Sequence, residues 1–377
     1  MSLSGNNGKY VIKSQRSCLP SRFSVQILKT YTCGVEIEEV IKNKQREGGS
    51  MKIGKQLVST LTGITVGLSV SCGAMAATWD MPTPYPDKTF HTQNIAAFAQ
   101  EVDAATGGEL KINIHSAGSL FKHPEIKNAV RGGQVPAGEF FLSLLSNEHA
   151  AFGADSQPFL ATNYDDAKNL WEAQRPIVAT LLDKQGLMPL FSVPWPPQGL
   201  YTKKEIKTVA DLKGIKFRAY NATLELFANK IGAAPTQVEV PDIPQAFATG
   251  RVEAMVTSPS TGANSKAWDF VTHYTDIQAW LPKNIVVVNK KAFRKLDKKT
   301  QDAVLAAAKA AEVRGWEMSK KETAEKTAIL KENGIVVVAP SAELMSGLKE
   351  IGAEMIVEWK KSAGAEGEAL LKAYQAK

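Results

Sequence analysis

The sequence predicts an α/β protein folded as two lobes joined by several chain crossings, and three observations carry the prediction. Strand-like and helix-like segments alternate from about residue 91 to the end of the chain. No domain linker, low-complexity tract or tandem repeat interrupts them, so lobes joined by several chain crossings fit better than two domains in series. Roughly 300 residues follow position 76, enough to bury about three quarters of the unfolded chain's surface without covalent cross-links.

Residues 91–104 place Ile95, Phe98, Ala99 and Val102 at helical spacing, and Gly107-Gly108 stops that helix. ELKINIHS (109–116) alternates as a half-buried strand does, and PEIKNAVRGG (124–133) is a short helix with a glycine stop. The apolar run 140–145 reads as a buried strand. A helix is predicted over 164–186, with Asn163 as N-cap, Asp165 and Asp166 in its positive first turn and Gly186 at its end. Pro176 is expected to bend it or to begin a second helix. LMPLFSV (187–193) is the next strand. Thr208 and Asp211 then form a capping-box-like start closed by Gly214. IKFRAY (215–220) is a strand, 221–232 a helix, 235–240 extended, and DIPQAFATG (242–250) a helix with Pro244 near its start. VEAMV (252–256) and IVVVN (285–289) are strands. Residues 297–333 form a long helix with Leu305, Ala308, Val313 and Trp316 on its apolar stripe. IVVVA (335–339) is a strand, and Ser341 caps a helix through about 360 that a short C-terminal helix follows.

Ahead of these elements, residues 51–76 have the layout of a secretory signal peptide. Met51, Lys52 and Lys55 make the positive start, an uncharged run follows, and Ala74 and Ala76 supply the small residues before a cut that leaves Ala77 first. Residues 1–50 lack sustained periodicity, and the true start is expected at Met51. Residues 1–76 carry 10 of the 45 basic and 4 of the 38 acidic residues, so the rest holds 35 against 34, a net +1. All but one unit of the whole-chain excess of +7 therefore belongs to the leader, and it implies no nucleic-acid partner. Cys18, Cys33 and Cys72 all precede Ala77, so the exported part has no disulfide and no thiol chemistry.

Three segments carry a family resemblance: DLKGIKFR (211–218), IGAAPTQVEVPDIPQAFATGRVEAM (231–255) and VVVNKKAFRKLD (286–297). Their order and spacing resemble the DctP-type solute-binding proteins of tripartite ATP-independent periplasmic (TRAP) transporters. HSAGSLFKHPEIKNAVRGGQV (115–135) resembles an upstream segment of the same family, and the likeness extends over almost all of 77–377. The resemblance implies a two-lobe periplasmic binding protein fold, class II-like, with a long helix spanning both lobes. Residues 77–200 would be mainly lobe I, 201–283 mainly lobe II, and 284–377 a crossing strand, the long helix and C-terminal helices on both lobes. It also implies a periplasmic, monomeric receptor that captures a small carboxylate and delivers it to TRAP permease subunits driven by an ion gradient. No cofactor or metal is expected.

Arg218 is the main candidate ligand residue. In the resembled family the arginine at this place holds the ligand carboxylate, and a planar guanidinium meets both carboxylate oxygens at once. Tyr201 falls where many relatives carry a second arginine. His123, Phe121, Phe141 and Trp195 lie in or beside segments that contact ligand in relatives, as do Thr257 and Ser258 after the 252–256 strand. Trp280, Asn284 and Tyr85 lie near the expected crossings or the first strand. One cation with aromatic walls points to a monocarboxylate rather than a dicarboxylate. Against an enzyme stand the absence of H-x-x-x-H spacing among the five histidines and of a G-x-S-x-G elbow, P-loop or dinucleotide fingerprint. Two alternatives stay open at this point: an exported enzyme acting on an organic acid, and a ligand-sensing module for a membrane kinase.

Overall fold

The computed structural model describes Ala77–Lys377; the expected leader, signal peptide and cleavage site, residues 1–76, lie outside the described residues. Strands β1 (Ala77–Pro82) and β2 (Leu110–His115) pair in parallel, joined by helix α1 (Phe90–Thr106). Gly107 ends α1 in the left-handed conformation, φ 65°, with its N–H on the Ala104 and Asp103 carbonyls. A short helix α2 (Ile126–Arg131) leads to β3 (Ala137–Phe141), and α3 (Tyr164–Asp183) leads to β4 (Leu187–Pro194). The chain then crosses to a second sheet. Its strands β5 (Gly199–Thr202), β6 (Lys216–Ala219), β7 (Ala234–Gln237), β8 (Ala254–Thr257) and β9 (His273–Thr275) are interleaved with α4 (Ala222–Lys230), α5 (Ile243–Ala248) and α6 (Pro259–Asn264). It returns as β10 (Lys283–Asn289), followed by α7 (Lys290–Arg294), the 35-residue α8 (Lys298–Glu332), β11 (Val336–Val338) and α9 (Ala342–Gln375).

β10 lies between β3 and β4 and runs antiparallel to both. The other sheet has the order β11-β9-β5-β8-β6-β7, parallel at β6–β7, β6–β8 and β9–β11 and antiparallel where β5 meets β8 and β9. Each lobe has its own apolar interior. Trp79, Phe98, Phe191 and Val286 belong to one, and Leu200, Phe217, Phe227 and Trp280 to the other. The two crossing segments are bonded to each other: Trp195 N–H donates to the Pro282 carbonyl at 2.8 Å, Gln198 to Trp280 at 3.0 Å, and Ala279 back to Gln198 at 2.9 Å. α8 packs on α1 and β4 of the first lobe and on α6 and β11 of the second.

Most predicted elements appear within a few residues of their expected ends, with three differences. The strand expected over 140–145 is β3, which begins earlier and ends at Phe141, while Leu142–Asn147 wind as a 3₁₀ helix. Gly138 permits this: a Cβ there would lie 2.7 Å from an Ile126 methyl, so only glycine lets α2 cover the strand this closely. α3 runs unbroken past Pro176, so no second helix begins there. In α8 the expected stripe is half wrong, because Leu305 and Val313 are exposed. The buried face is made of small residues, Ala307, Ala308, Ala311, Gly315 and Ser319, with Val304. They bring the helix so near that a Cβ on Gly315 would stand 2.4 Å from a Val193 methyl. Gly364 (φ 57°, ψ −143°) interrupts α9 where the sequence places the join of two helices.

Candidate functional site

Alternation along β6 turns Phe217 and Ala219 into the lobe interior and leaves Arg218 on the side facing the cleft. The Arg218 side chain is buried, 1% exposed. Its Nε–H donates to the Val238 carbonyl at 3.0 Å, and its guanidinium carbon lies 5.1 Å from the Tyr220 ring centre. Nη1 is buried with no hydrogen-bond partner, and no carboxylate among the described residues forms an ion pair with the group. Burial lowers the guanidinium pKa from its ordinary value, opposed by Tyr220, Glu239 and Tyr85 around it.

Arg218 lines a cavity of about 390 Å³, mouth included, between the lobes. The other walls are Tyr85, His123, Phe141, Trp195, Gln198, Tyr220, Glu239, Val240, Thr257, Ser258, Thr261 and Pro282. They come from the segments that follow β1, β2, β7 and β8, from the ends of β3 and β6, and from both crossing segments, so the sheets present their edges to one crevice. Aromatic rings hold one another edge-on: Tyr85 and Trp195 at 5.1 Å, Tyr85 and His123 at 5.7 Å, Phe141 and Tyr220 at 5.4 Å. The Tyr220 hydroxyl donates to Gln198 Oε1 at 3.2 Å and accepts from Trp280 Nε1 at 3.1 Å. Ser258 caps α6, accepting the Thr261 N–H at 3.0 Å.

Behind this wall lies a buried carboxyl. Asn284 accepts at Oδ1 from Trp195 Nε1 (3.0 Å) and Tyr85 Oη (3.3 Å), and donates from Nδ2 to Glu139 Oε1 at 2.7 Å. The Thr83 hydroxyl donates to the other Glu139 oxygen. Burial pushes the Glu139 carboxyl up to about 7, against the lowering effect of the Asn284 and Thr83 bonds. A carboxyl raised in the folded state contributes stability that is full below its unfolded value and lost as pH rises to the folded one. Wild-type stability is therefore expected to fall by about 2–3 kcal/mol more than that of Glu139→Gln between pH 5 and pH 8, read by urea unfolding. Parallel pH profiles for the two proteins would refute this.

Of the residues singled out from the sequence, Arg218, Tyr85, His123, Phe141, Trp195, Thr257 and Ser258 line the cavity. Tyr201, Phe121, Trp280 and Asn284 do not. Tyr201 packs on Tyr274 inside the second lobe, its hydroxyl donating to the Ser258 carbonyl at 3.1 Å. Gly262 leaves room for that ring, since a Cβ there would stand 2.1 Å from Oη. Phe121 rests half-buried against the first lobe's interior. Trp280 and Asn284 sit one layer back and hold Tyr220, Tyr85 and Trp195. Gln198, Tyr220, Glu239 and Thr261 line the cavity without having been anticipated. Tyr220 was within reach, two positions beyond Arg218 on the same face; nothing local marks the others. Among the described residues no group of three His, Cys, Asp or Glu side chains could hold a metal ion, and no helix is long and apolar enough to cross a membrane.

The sequence model of bacterial extracellular solute-binding protein family 7, DctP, matches residues 83–362. Among solved structures, the chain is similar to DctP7 of Bordetella pertussis, an extracytoplasmic solute receptor binding pyroglutamic acid. The identity is 46% and the TM-score 0.79, covering 80% of this chain and 100% of that one. DctP6 of Bordetella pertussis, also binding pyroglutamic acid, is 44% identical at the same coverage, with a TM-score of 0.79. A TRAP solute-binding protein of a marine metagenome, specific for pyroglutamate, is 41% identical, with a TM-score of 0.78 over 80% of this chain and 99% of that one.

Proposed function

The chain belongs to the bacterial extracellular solute-binding proteins of family 7, and from that membership we propose that it captures pyroglutamate outside the cytoplasm and delivers it, chemically unchanged, to a TRAP-type membrane permease. The observation that carries the ligand class is the Arg218 guanidinium, buried on a cavity wall with Nη1 unpartnered and, among the described residues, no acid paired to it. A buried cation without a counter-ion is costly, and a ligand carboxylate that takes two of its N–H groups removes that cost. Pyroglutamate brings one carboxylate on a flat five-membered ring, which suits a single cation between Tyr85, Phe141, Trp195 and Tyr220. The three similar receptors named above support this choice over an open-chain or sugar acid.

The test is a melting series with pyroglutamate, proline, glutamate and a short dicarboxylate. Pyroglutamate at a hundred times its Kd is expected to stabilise the folded protein by about 2.7 kcal/mol, and the dicarboxylate to leave the melting temperature unchanged. A series in which no monocarboxylate shifts the transition would overturn the reading. Recovery of altered pyroglutamate after incubation would favour an enzyme instead.

A further inference from the structure

Among the described residues Arg218 is the one lysine or arginine on the cavity wall and Glu239 the one acid. A site built only to hold an anion gains nothing from a second negative charge, so the acid needs its own account. Its partner fixes its state. The Phe141 N–H donates to His123 Nε2 at 3.0 Å, so Nε2 carries no proton. The ring proton is therefore on Nδ1, which donates to Glu239 Oε2 at 3.2 Å. This arrangement orients the Glu239 carboxylate. Glu239 Oε1 is left with no hydrogen bond among the described residues. Burial pushes the Glu239 carboxyl up, but the His123 bond and the Arg218 charge outweigh it and hold it below its ordinary value. The cavity thus presents a fixed donor fork at one place and a free anionic oxygen at another.

Resting on the reading that this cavity takes a small carboxylate, we infer that Glu239, held by His123, accepts an N–H from the ligand ring and selects cyclic acids that carry one. A carboxylate bound to Arg218 brings a second anion near Glu239, and the two repel unless a donor lies between them. A ring N–H next to the carboxyl-bearing carbon supplies that donor. An acid of the same shape without it closes over Glu239 Oε1 and leaves that oxygen without a donor, the kind of mismatch that discriminates most strongly.

The experiment is isothermal titration of the full exported protein with three ligands. They are pyroglutamate, the carbocycle with CH₂ in place of its ring N–H, and the lactone with a ring oxygen there. The wild type is expected to bind the carbocycle about tenfold to a hundredfold more weakly than pyroglutamate, because a hydrogen bond to a charged acceptor is lost. The lactone should bind more weakly still, since its ring oxygen faces the carboxylate. In Glu239→Gln the side-chain amide can turn its NH₂ toward that oxygen, and the lactone should overtake the carbocycle. Equal wild-type affinities for the three ligands overturn the inference and leave the role of Arg218 standing. Absence of binding by all three overturns the reading beneath it. The wild-type series decides the matter even if Glu239→Gln does not fold.

Discussion

Arg218→Lys is expected to weaken pyroglutamate binding about tenfold to a hundredfold, and Arg218→Met about a hundredfold to ten-thousandfold, while both unliganded proteins melt within a few degrees of the wild type. Lysine keeps the positive charge but loses the two-pronged geometry, and its compact ammonium is harder to strip of water in a buried site. One charge-assisted hydrogen bond is then lost, at roughly 1.5–3 kcal/mol. Methionine removes the cation, so both bonds to the carboxylate go and the ligand is buried without a counter-charge. The stability half of the expectation is as diagnostic as the affinity half. Arg218 is buried with Nη1 unpartnered, and its one side-chain hydrogen bond among the described residues runs from Nε to the Val238 carbonyl. Replacing a poorly compensated buried charge by an apolar chain of similar reach costs little when the site is empty. Titration calorimetry and melting of the ligand-free protein read the two halves. Wild-type affinity in Arg218→Met would remove Arg218 from the site, and an unfolded ligand-free variant would make it a structural residue.

The largest loss of stability is expected from Lys283→Met, about 3–5 kcal/mol, for the opposite reason. Lys283 opens β10, and its ammonium lies 3.5 Å from Asp155 Oδ2, both side chains fully buried. The Lys283 backbone N–H also donates to that oxygen at 2.9 Å, and the Ser156 hydroxyl donates to Oδ1 at 3.3 Å. Burial pushes the aspartate pKa up and the lysine pKa down, and each partner opposes the shift of the other. Removing the lysine leaves Asp155 as an uncompensated buried acid beside the crossing segments. Adding Asp155→Asn should restore most of the loss, since the amide oxygen can still accept the backbone N–H of residue 283 without carrying a charge. Urea unfolding of the single and double variants measures both steps. A double variant no more stable than Lys283→Met would mean that packing, not charge, fixes the pair.

How far the sequence could reach varies with the kind of feature. Helix ends were legible because their signals are local: Asn163 and Ser341 do cap α3 and α9, accepting the N–H groups of Asp166 and Leu344. The start of β3 was not, because Gly138 and Glu139 look like loop residues until α2 closes on one and Asn284, 145 positions away, bonds the other. The buried face of α8 was misread because small side chains bring the helix close, while Leu305 and Val313 point to solvent. In the cavity, Arg218 could be anticipated from its strand-end position within a recurring motif. Glu239 could not: its role depends on a histidine 116 positions earlier and on a proton assignment that only the Phe141 N–H reveals.

The placement of β10 also bears on how the chain comes to be folded where it works. β3 and β4 are not bonded to each other; each pairs only with β10 in their sheet, and β10 follows all of β5–β9 along the chain. A growing chain that has not yet reached residue 283 cannot close its first sheet, however much of it has been made. Contacts that join such distant parts form slowly. The piece that completes the amino-terminal lobe's sheet thus arrives late in the chain, so that lobe stays open until residues 283–289 are in place and both lobes finish folding together.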